Sequence, residues 1–201
     1  MEPLIKIDLQ KILAGDEPLI IDLGCGRSKK AGAIGIDQAD LPGVDIVADI
    51  ETGLPFLPDN CVDLLYCRSM LEHLKDFPAA MKEIVRVLKK TGKAEIYVPH
   101  FSSPYYYSDF THKNPFGLYT FYYFVSPENQ LRRKVPDYYT NIKINIVSLK
   151  LLFRSQFWLR ARLKSIFGRL INSCSWLQEY YEETLCYIVP CSGIEITFTP
   201  A

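Results

Sequence analysis

His100, Asp109 and His112 are the residues of this chain best suited by type and spacing to move a proton. Asp109 and His112, three positions apart, can form an imidazole base oriented by a carboxylate; the same pair can equally bond locally and hold a loop. A second set of residues is suited to binding. Asp22-Leu23-Gly24-Cys25-Gly26 ends an apolar run and opens a turn, and its glycines let the backbone approach a ligand closely. Gly35-Ile36-Asp37 places a carboxylate at the end of the next run, where it can accept both hydroxyls of a ribose. A nicotinamide dinucleotide fits poorly. Ser28 stands where its fingerprint has a further turn residue, and only Cys25 to Ile36 separate Gly24 from the acid, whereas the dinucleotide pattern has it about 20 residues on. The helix between them can only be short, so little positive N-terminus faces a pyrophosphate. A ligand without phosphates fits better.

These residues need a frame, and the chain supplies a repeating one. Short β-rich runs, 18–23, 33–37, 44–48, 62–66 and 94–98, read as buried parallel strands. Phe77 to Lys90 carries Ala80, Ile84, Val87 and Leu88 at helical spacing, with Thr91-Gly92 as a stop. A short helix over Asp8 to Ala14, with Asp8 near its N-cap, precedes them. Strand, helix, strand in this order makes an α/β fold. After Pro99 the texture changes: Phe101 to Phe124, dense in Tyr, Phe, Ser and Pro, reads as a loop ending in a short helix. Ile142 to Leu149 alternates as a strand, about Leu151 to Ile171 is a basic amphipathic helix, and Tyr187 to Phe198 closes as one or two strands. The 201 residues, 48% hydrophobic and 23% charged, form one domain: 1–100 for the cofactor, 101–140 as an aromatic lid, 141–201 for the remaining strands and helix. Net charge is zero, so no whole-molecule field points to nucleic acid. Six cysteines without ligand spacing, and no basic-then-apolar leader, indicate a reduced, cytoplasmic protein.

Several of these segments, in order, resemble the class I S-adenosylmethionine-dependent methyltransferases, type 11-like. Asp22 to Gly26 is similar to their motif I, Gly35-Ile36-Asp37 to motif II, and Ala48-Asp49-Ile50 to the adenine-contacting step. Leu54 to Asn60 and Val62 to Cys67 resemble the "lPFpdnsfDlvyc" segment, Ser69 to Leu74 the "leHl" helix, and Glu83 to Gly92 with Ile96 to Pro99 the "ei.RvLkpgG" helix and fifth strand. The resemblance implies a Rossmann-like, mostly parallel seven-stranded sheet with an antiparallel last strand and helices on both faces. It implies S-adenosyl-L-methionine as cofactor. Gly24 and Gly26 would face its methionine part, Asp37 its ribose and Asp49 and Ile50 its adenine, while Cys67 and Arg68 would line the pocket floor. Asp22, Cys25 and Gln38 are counted with the cofactor residues, and neither thiol is given a chemical role. Some quinone-pathway relatives carry Glu-x-x-Glu-His, which resembles a divalent-metal site; here the first Glu is Ser69, and Glu72 with His73 alone is a poor ligand set. Metal-independent chemistry is expected.

The stretch from His100 to Tyr119 resembles prokaryotic methyltransferases of surface-polysaccharide and lipopolysaccharide biosynthesis, which implies a glycan, sugar or lipid-linked acceptor. A sugar hydroxyl needs a base as it attacks a sulfonium methyl; Asp109 and His112, with His100 as substitute, are the candidates. Tyr105, Tyr106, Tyr107, Tyr119, Tyr122 and Tyr123 can stack on the acceptor or pack a lid. Methylation of RNA, with Arg132-Arg133-Lys134 at phosphates, and a catalytically inactive cofactor-binding protein are the alternatives; no stable nucleic-acid complex is expected. In the basic helix, Leu152, Leu159, Leu163, Ile166 and Leu170 make one apolar face. Arg154, Arg162 and Arg169 fall opposite, Arg160 and Lys164 flank it, and no acid occurs from 151 to 171. Two roles are open for it: peripheral contact with an anionic membrane surface, or an ordinary cover for the sheet with its cations solvated.

Overall fold

The apolar runs of the first hundred residues form the parallel centre of one eight-stranded sheet. The computed structural model describes residues 2–201. Its strands are β1 (Leu4–Ile5), β2 (Ile20–Leu23), β3 (Ile34–Asp37), β4 (Ile46–Val47), β5 (Val62–Arg68), β6 (Leu88–Val98), β7 (Ile144–Leu152) and β8 (Gly193–Pro200), in the order β1-β4-β3-β2-β5-β6-β8-β7. β2 pairs in parallel with β3 and β5, β3 with β4, and β5 with β6, whereas β8 runs antiparallel to both β6 and β7. This is the Rossmann-like class I arrangement, its last strand antiparallel. The eighth strand is β1, two residues added antiparallel to β4 at the edge, too short to read from the sequence.

Among the described residues, five α-helices accompany the sheet: α1 (Leu9–Leu13), α2 (Phe77–Val87), α3 (Pro104–Ser108), α4 (Trp158–Ile171) and α5 (Ser175–Tyr180). Asp8 caps α1, its carboxylate accepting from the Lys11 amide at 3.1 Å, and Asp76 caps α2 through Ala79 at 2.9 Å. The chief core cluster joins Ile21, Leu23, Ile36, Leu65 and Ile96 of the sheet to Met81, Ile84 and Val87 of α2. Burying each such side chain contributes about 1.5–3 kcal/mol. Helices on both faces are expected of the class, but the connections 24–33 and 38–45 contain turns instead. On that side Cys25 packs with Val44 and Val47, and Lys30 lies over the Tyr66 ring at 4.3 Å while reaching Glu95.

Three of the boundaries that differ from the sequence pattern have a visible cause. α2 ends at Val87, not Lys90, because the amides of Asn60 and Cys61 take the carbonyls of Arg86 and Val87, and Leu88 pairs with Val62 as the start of β6. The basic helix begins at Trp158, not Leu151: Leu151 and Leu152 end β7, paired with Ile194 and Gly193. The segment from Tyr187 holds strand only from Gly193, since α5 and a wide helical turn over Tyr181–Leu185 precede it.

Candidate active site

The first cavity opens at the carboxyl ends of β2, β3 and β4. Gly24 has φ +73°, and a Cβ on it would lie 2.6 Å from the Cβ and Cγ of Met70, so only glycine permits this approach. The Gly24 amide donates to the Ile36 carbonyl at 2.8 Å, and the Gly26 amide to Asp37 Oδ2 at 2.8 Å, which ties the glycine turn to the acid of the neighbouring strand. Asp37 Oδ1 accepts from the Ala39 amide at 2.9 Å. Gly24, Gly26, Asp37, Gln38, Asp49 and Ile50 all line this cavity of about 300 Å³. Asp49 also caps the turn Ile50–Thr52, accepting from the Glu51 amide at 2.9 Å.

Four of the expected cofactor residues lie elsewhere. Asp22 is buried beneath the turn, where it accepts from the Lys30 amide at 2.6 Å, and burial raises its pKa. Cys25 turns its sulfur toward Gly35 and away from the cavity, and burial pushes its thiol up to about 11. Cys67 is fully buried in the core, and Arg68, one residue on and on the other face of β5, sets its guanidinium 4.5 Å from the Tyr97 ring centre. The chain leaves the sheet at Ser69, with φ +52°, and Ser69 and Met70 take the positions on the cavity wall. Nothing local distinguishes that exit from a continued strand, since Ser69 carries a backbone conformation usually signalled by glycine or asparagine.

A second cavity of about 480 Å³ adjoins the first and shares Ser69 and His73 with it. Glu72, Tyr97, Tyr105, Asp109, His112 and the stretch Arg154–Gln156 also line it. The lid is stitched to the turn bearing Glu72 and His73. The amides of Lys113 and Asn114 donate to the Glu72 carbonyl at 2.7 and 3.1 Å, and Asn114 Nδ2 donates to the Leu74 carbonyl at 2.6 Å.

His112 faces this cavity with a fixed tautomer. A carbonyl can only accept, so Nδ1, 2.8 Å from the Tyr106 carbonyl, carries the proton and leaves the Nε2 lone pair free. The Tyr106 ring stacks on the imidazole at 5.1 Å. Asp109 therefore does not orient the ring: its Oδ2 lies 3.6 Å from Nε2, while Oδ1 is taken by the Thr111 hydroxyl at 2.5 Å and amide at 2.9 Å. The Thr111 proton goes to Asp109, so Thr111 Oγ1 accepts from His73 Nδ1 at 2.9 Å. Burial and the neighbouring His112 hold the His73 pKa below its usual value.

Glu72 is the residue that local spacing did not single out as catalytic. It is 1% exposed, its Oε1 is 4.0 Å from His112 Nε2, and its Oε2 has no hydrogen-bond partner among the described residues. Burial first, then the charge of Asp109, push its carboxyl up to about 7. Among the described residues, Glu72, His73 and His112 bring one donor atom each within 4.8 Å of one another. Two donors were too few to hold a divalent ion; three are not, so the ligand count no longer argues against a metal.

His100 is not at either cavity. It is fully buried, its Nδ1 accepts from the Ser102 amide at 3.0 Å, and its Nε2 therefore donates to Glu182 Oε2 at 2.9 Å. Glu182 in turn accepts from the Leu118 amide at 2.7 Å, so His100 is a structural bridge between the lid and the turn after α5. Of the tyrosines expected to stack on an acceptor, only Tyr105 lines the second cavity. Tyr119 donates to Glu179, Tyr122 is in the core, Tyr123 lies beside Tyr139, and Tyr107 is exposed.

Residues 27–96 match the family model described as a methyltransferase domain. The mitochondrial arginine-hydroxylase NDUFAF5 of Rattus norvegicus is 33% identical over 99 residues, which cover 40% of this chain and 28% of that protein. The chain thus spans less than a third of that relative's length. A methyltransferase structure from Archaeoglobus fulgidus is 18% identical with a TM-score of 0.52, covering 95% of this chain and 90% of its own. Geranyl diphosphate C-methyltransferase from Streptomyces coelicolor is 14% identical with a TM-score of 0.57, covering 96% and 78%. At these identities the structural likeness shows the fold. With the match over residues 27–96 to a methyltransferase domain, it places the fold with the class I methyltransferases.

Proposed function

We propose that the chain transfers a methyl group from S-adenosylmethionine, held in the cavity around Gly24, Asp37 and Asp49, to a hydroxyl of a glycan, sugar or lipid-linked acceptor in the adjoining cavity. One observation carries this: the two cavities share the wall formed by Ser69 and His73, so a sulfonium methyl on one side faces an acceptor on the other. The acceptor oxygen attacks the methyl carbon, the carbon–sulfur bond breaks, and S-adenosylhomocysteine leaves neutral at sulfur. The hydroxyl proton goes to His112 Nε2, the lone pair left free by the Tyr106 carbonyl. The new imidazolium is flanked by Glu72 and Asp109, at 4.0 and 3.6 Å. Carboxylate, serine and arginine groups beside the Tyr97 and Tyr105 rings suit a polyhydroxylated acceptor, which offers donors along its edges and an apolar face to a ring.

RNA is the weaker acceptor. The backbone amides of Arg132 and Arg133 donate to Glu179, Arg133 lies over Tyr119, and Lys134 Nζ is held by the carbonyls of Pro127 and Gln130. The groove beside them also contains Glu179, Glu182 and Glu183, carboxylates that repel phosphate. The test is methyl transfer from labelled S-adenosylmethionine to nucleotide sugars, oligosaccharides, lipid-linked sugars and RNA, together with calorimetry of S-adenosylhomocysteine. Sugar labelling, with Asp37→Ala weakening the product at least about tenfold, or 1.4 kcal/mol, is expected. Binding without transfer to any acceptor would instead describe a cofactor-binding protein that has lost catalysis.

A further inference from the structure

α4 turns its apolar stripe away from the protein. Leu159, Leu163, Ile166 and Leu170 are 56, 62, 65 and 58% exposed, while the residues it buries are Lys164, Gly168 and Ile171. The inward side is closely seated. A Cβ on Gly168 would come within 2.9 Å of the Phe153 ring, Lys164 Nζ donates to the Pro190 carbonyl at 2.7 Å, and Asn172 bonds both backbone groups of Leu151. A helix that only covered the sheet would bury its apolar stripe. This one buries Lys164, Gly168 and Ile171 and packs Phe167 on the core, yet leaves four large aliphatic side chains in water, which marks a contact surface.

The charges around the stripe identify what it contacts. At about 100° per residue, Arg160 falls roughly 90° to one side of the stripe's centre, and Arg162 and Arg169 roughly 70–90° to the other. Arg162 and Arg169 therefore flank the stripe and do not oppose it, and Lys164, expected at its flank, points inward. All three arginines are exposed, and none takes part in the ion pairs among the described residues. Phe157 and Trp158, 72 and 71% exposed, extend the apolar surface at the helix's N-terminal end. An apolar stripe with Arg160 on one side and Arg162 and Arg169 on the other, and no acid from 151 to 171, is complementary to a bilayer surface, whose acyl boundary lies below anionic phosphates. No helix of the described residues is long and apolar enough to cross a membrane, so the contact is peripheral.

We propose that α4 docks on an anionic membrane, its leucine and isoleucine stripe at the acyl boundary and Arg160, Arg162 and Arg169 at the phosphates. Arg154, Ser155 and Gln156 line the acceptor cavity and lead directly into Phe157 and Trp158. Docking therefore brings the mouth of that cavity to the bilayer, where the acceptor is lipid-linked; this last step rests on the acceptor reading given above.

Co-sedimentation with vesicles of phosphatidylcholine alone, or mixed with phosphatidylglycerol, tests it at low and high salt. Wild type is expected to pellet with the anionic vesicles at low salt and to be released at high salt. Arg160→Glu with Arg162→Glu, and separately Leu163→Glu with Ile166→Glu, should each weaken vesicle binding by about tenfold or more. All four positions are exposed, and unchanged S-adenosylhomocysteine affinity verifies that the variants are folded. Wild type left in the supernatant with anionic vesicles overturns the proposal, as does full vesicle binding by the Leu163→Glu, Ile166→Glu variant. Dimers that this variant dissociates, with no vesicle binding, overturn it too and make the stripe a self-interface. Vesicle binding without methyl transfer upholds the docking and overturns only the acceptor reading.

Discussion

The side chain of Met70 occupies the space where a side chain on Gly24 would begin, 2.6 Å from its Cβ position. Met70, two residues past the end of β5, thus closes over the glycine turn after β2, and the two together form one side of the first cavity. Gly24→Ala adds this collision to the cost of φ +73°, whereas Gly32→Ala, at φ +77° with open space, carries only the backbone cost of about 1–2 kcal/mol. Calorimetry should show S-adenosylhomocysteine binding weakened by about tenfold or more in the first variant and unchanged in the second.

His112→Ala is expected to lower turnover by roughly 10² or more with little change in cofactor affinity, as for the loss of a general base. Asp109→Asn should cost less, roughly tenfold, because the Tyr106 carbonyl orients the ring and Asp109 meets Nε2 only at 3.6 Å. Steady-state rates beside product-binding isotherms separate the two effects. Equal losses in both variants would restore Asp109 as the orienting group.

Exhaustive treatment with EDTA should leave turnover unchanged. If His112 Nε2 receives the acceptor's proton, a metal ion on that lone pair would block the reaction. Activity lost to the chelator and regained with manganese or zinc would make Glu72, His73 and His112 a ligand set and remove His112 from its role as base.

Glu83 ties α2 to the loop before β5. Its carboxylate accepts from the Leu54 amide at 2.8 Å and from Arg86 Nε and Nη2 at 3.0 and 2.8 Å, and Arg86 holds its pKa below 4.5. A carboxyl whose folded pKa is depressed contributes stability above its unfolded pKa and loses it as the pH falls through the folded one. Glu83→Gln should therefore cost about 1–3 kcal/mol near neutral pH, with the difference from wild type shrinking in acid below the ordinary 4.5. Denaturant melts across that range give both numbers.

The residues that gather at the first cavity were legible because their constraints are local. Glycines at positive φ, and acids at strand ends, leave a mark within five residues of sequence, as at Gly24, Gly26 and Asp37. Ser69 and Met70 were not legible, because where β5 leaves the sheet depends on a serine at φ +52° that carries no glycine to announce it. The acceptor side depends on contacts distant in sequence: Glu72 and His73 meet His112 across a long separation, and Glu182 turns His100 from a candidate base into a bridge. Periodicity found the apolar stripe of α4 but not which side of the helix points inward. That is decided by Gly168 against Phe153 and by the reach of the Lys164 side chain.

The wall that Ser69 and His73 contribute to both cavities also limits how far apart two ligand fragments lie when both are bound. A molecule that joined an adenosyl group to a sugar through a short linker would seat its second half at the effective concentration set by that linker, which reaches the millimolar range for short flexible tethers. Such a conjugate gains affinity over either fragment without a new contact. It would also test the proposed sugar acceptor by selection, since a sugar would add its binding to that of the adenosyl group only if it fits beside His112.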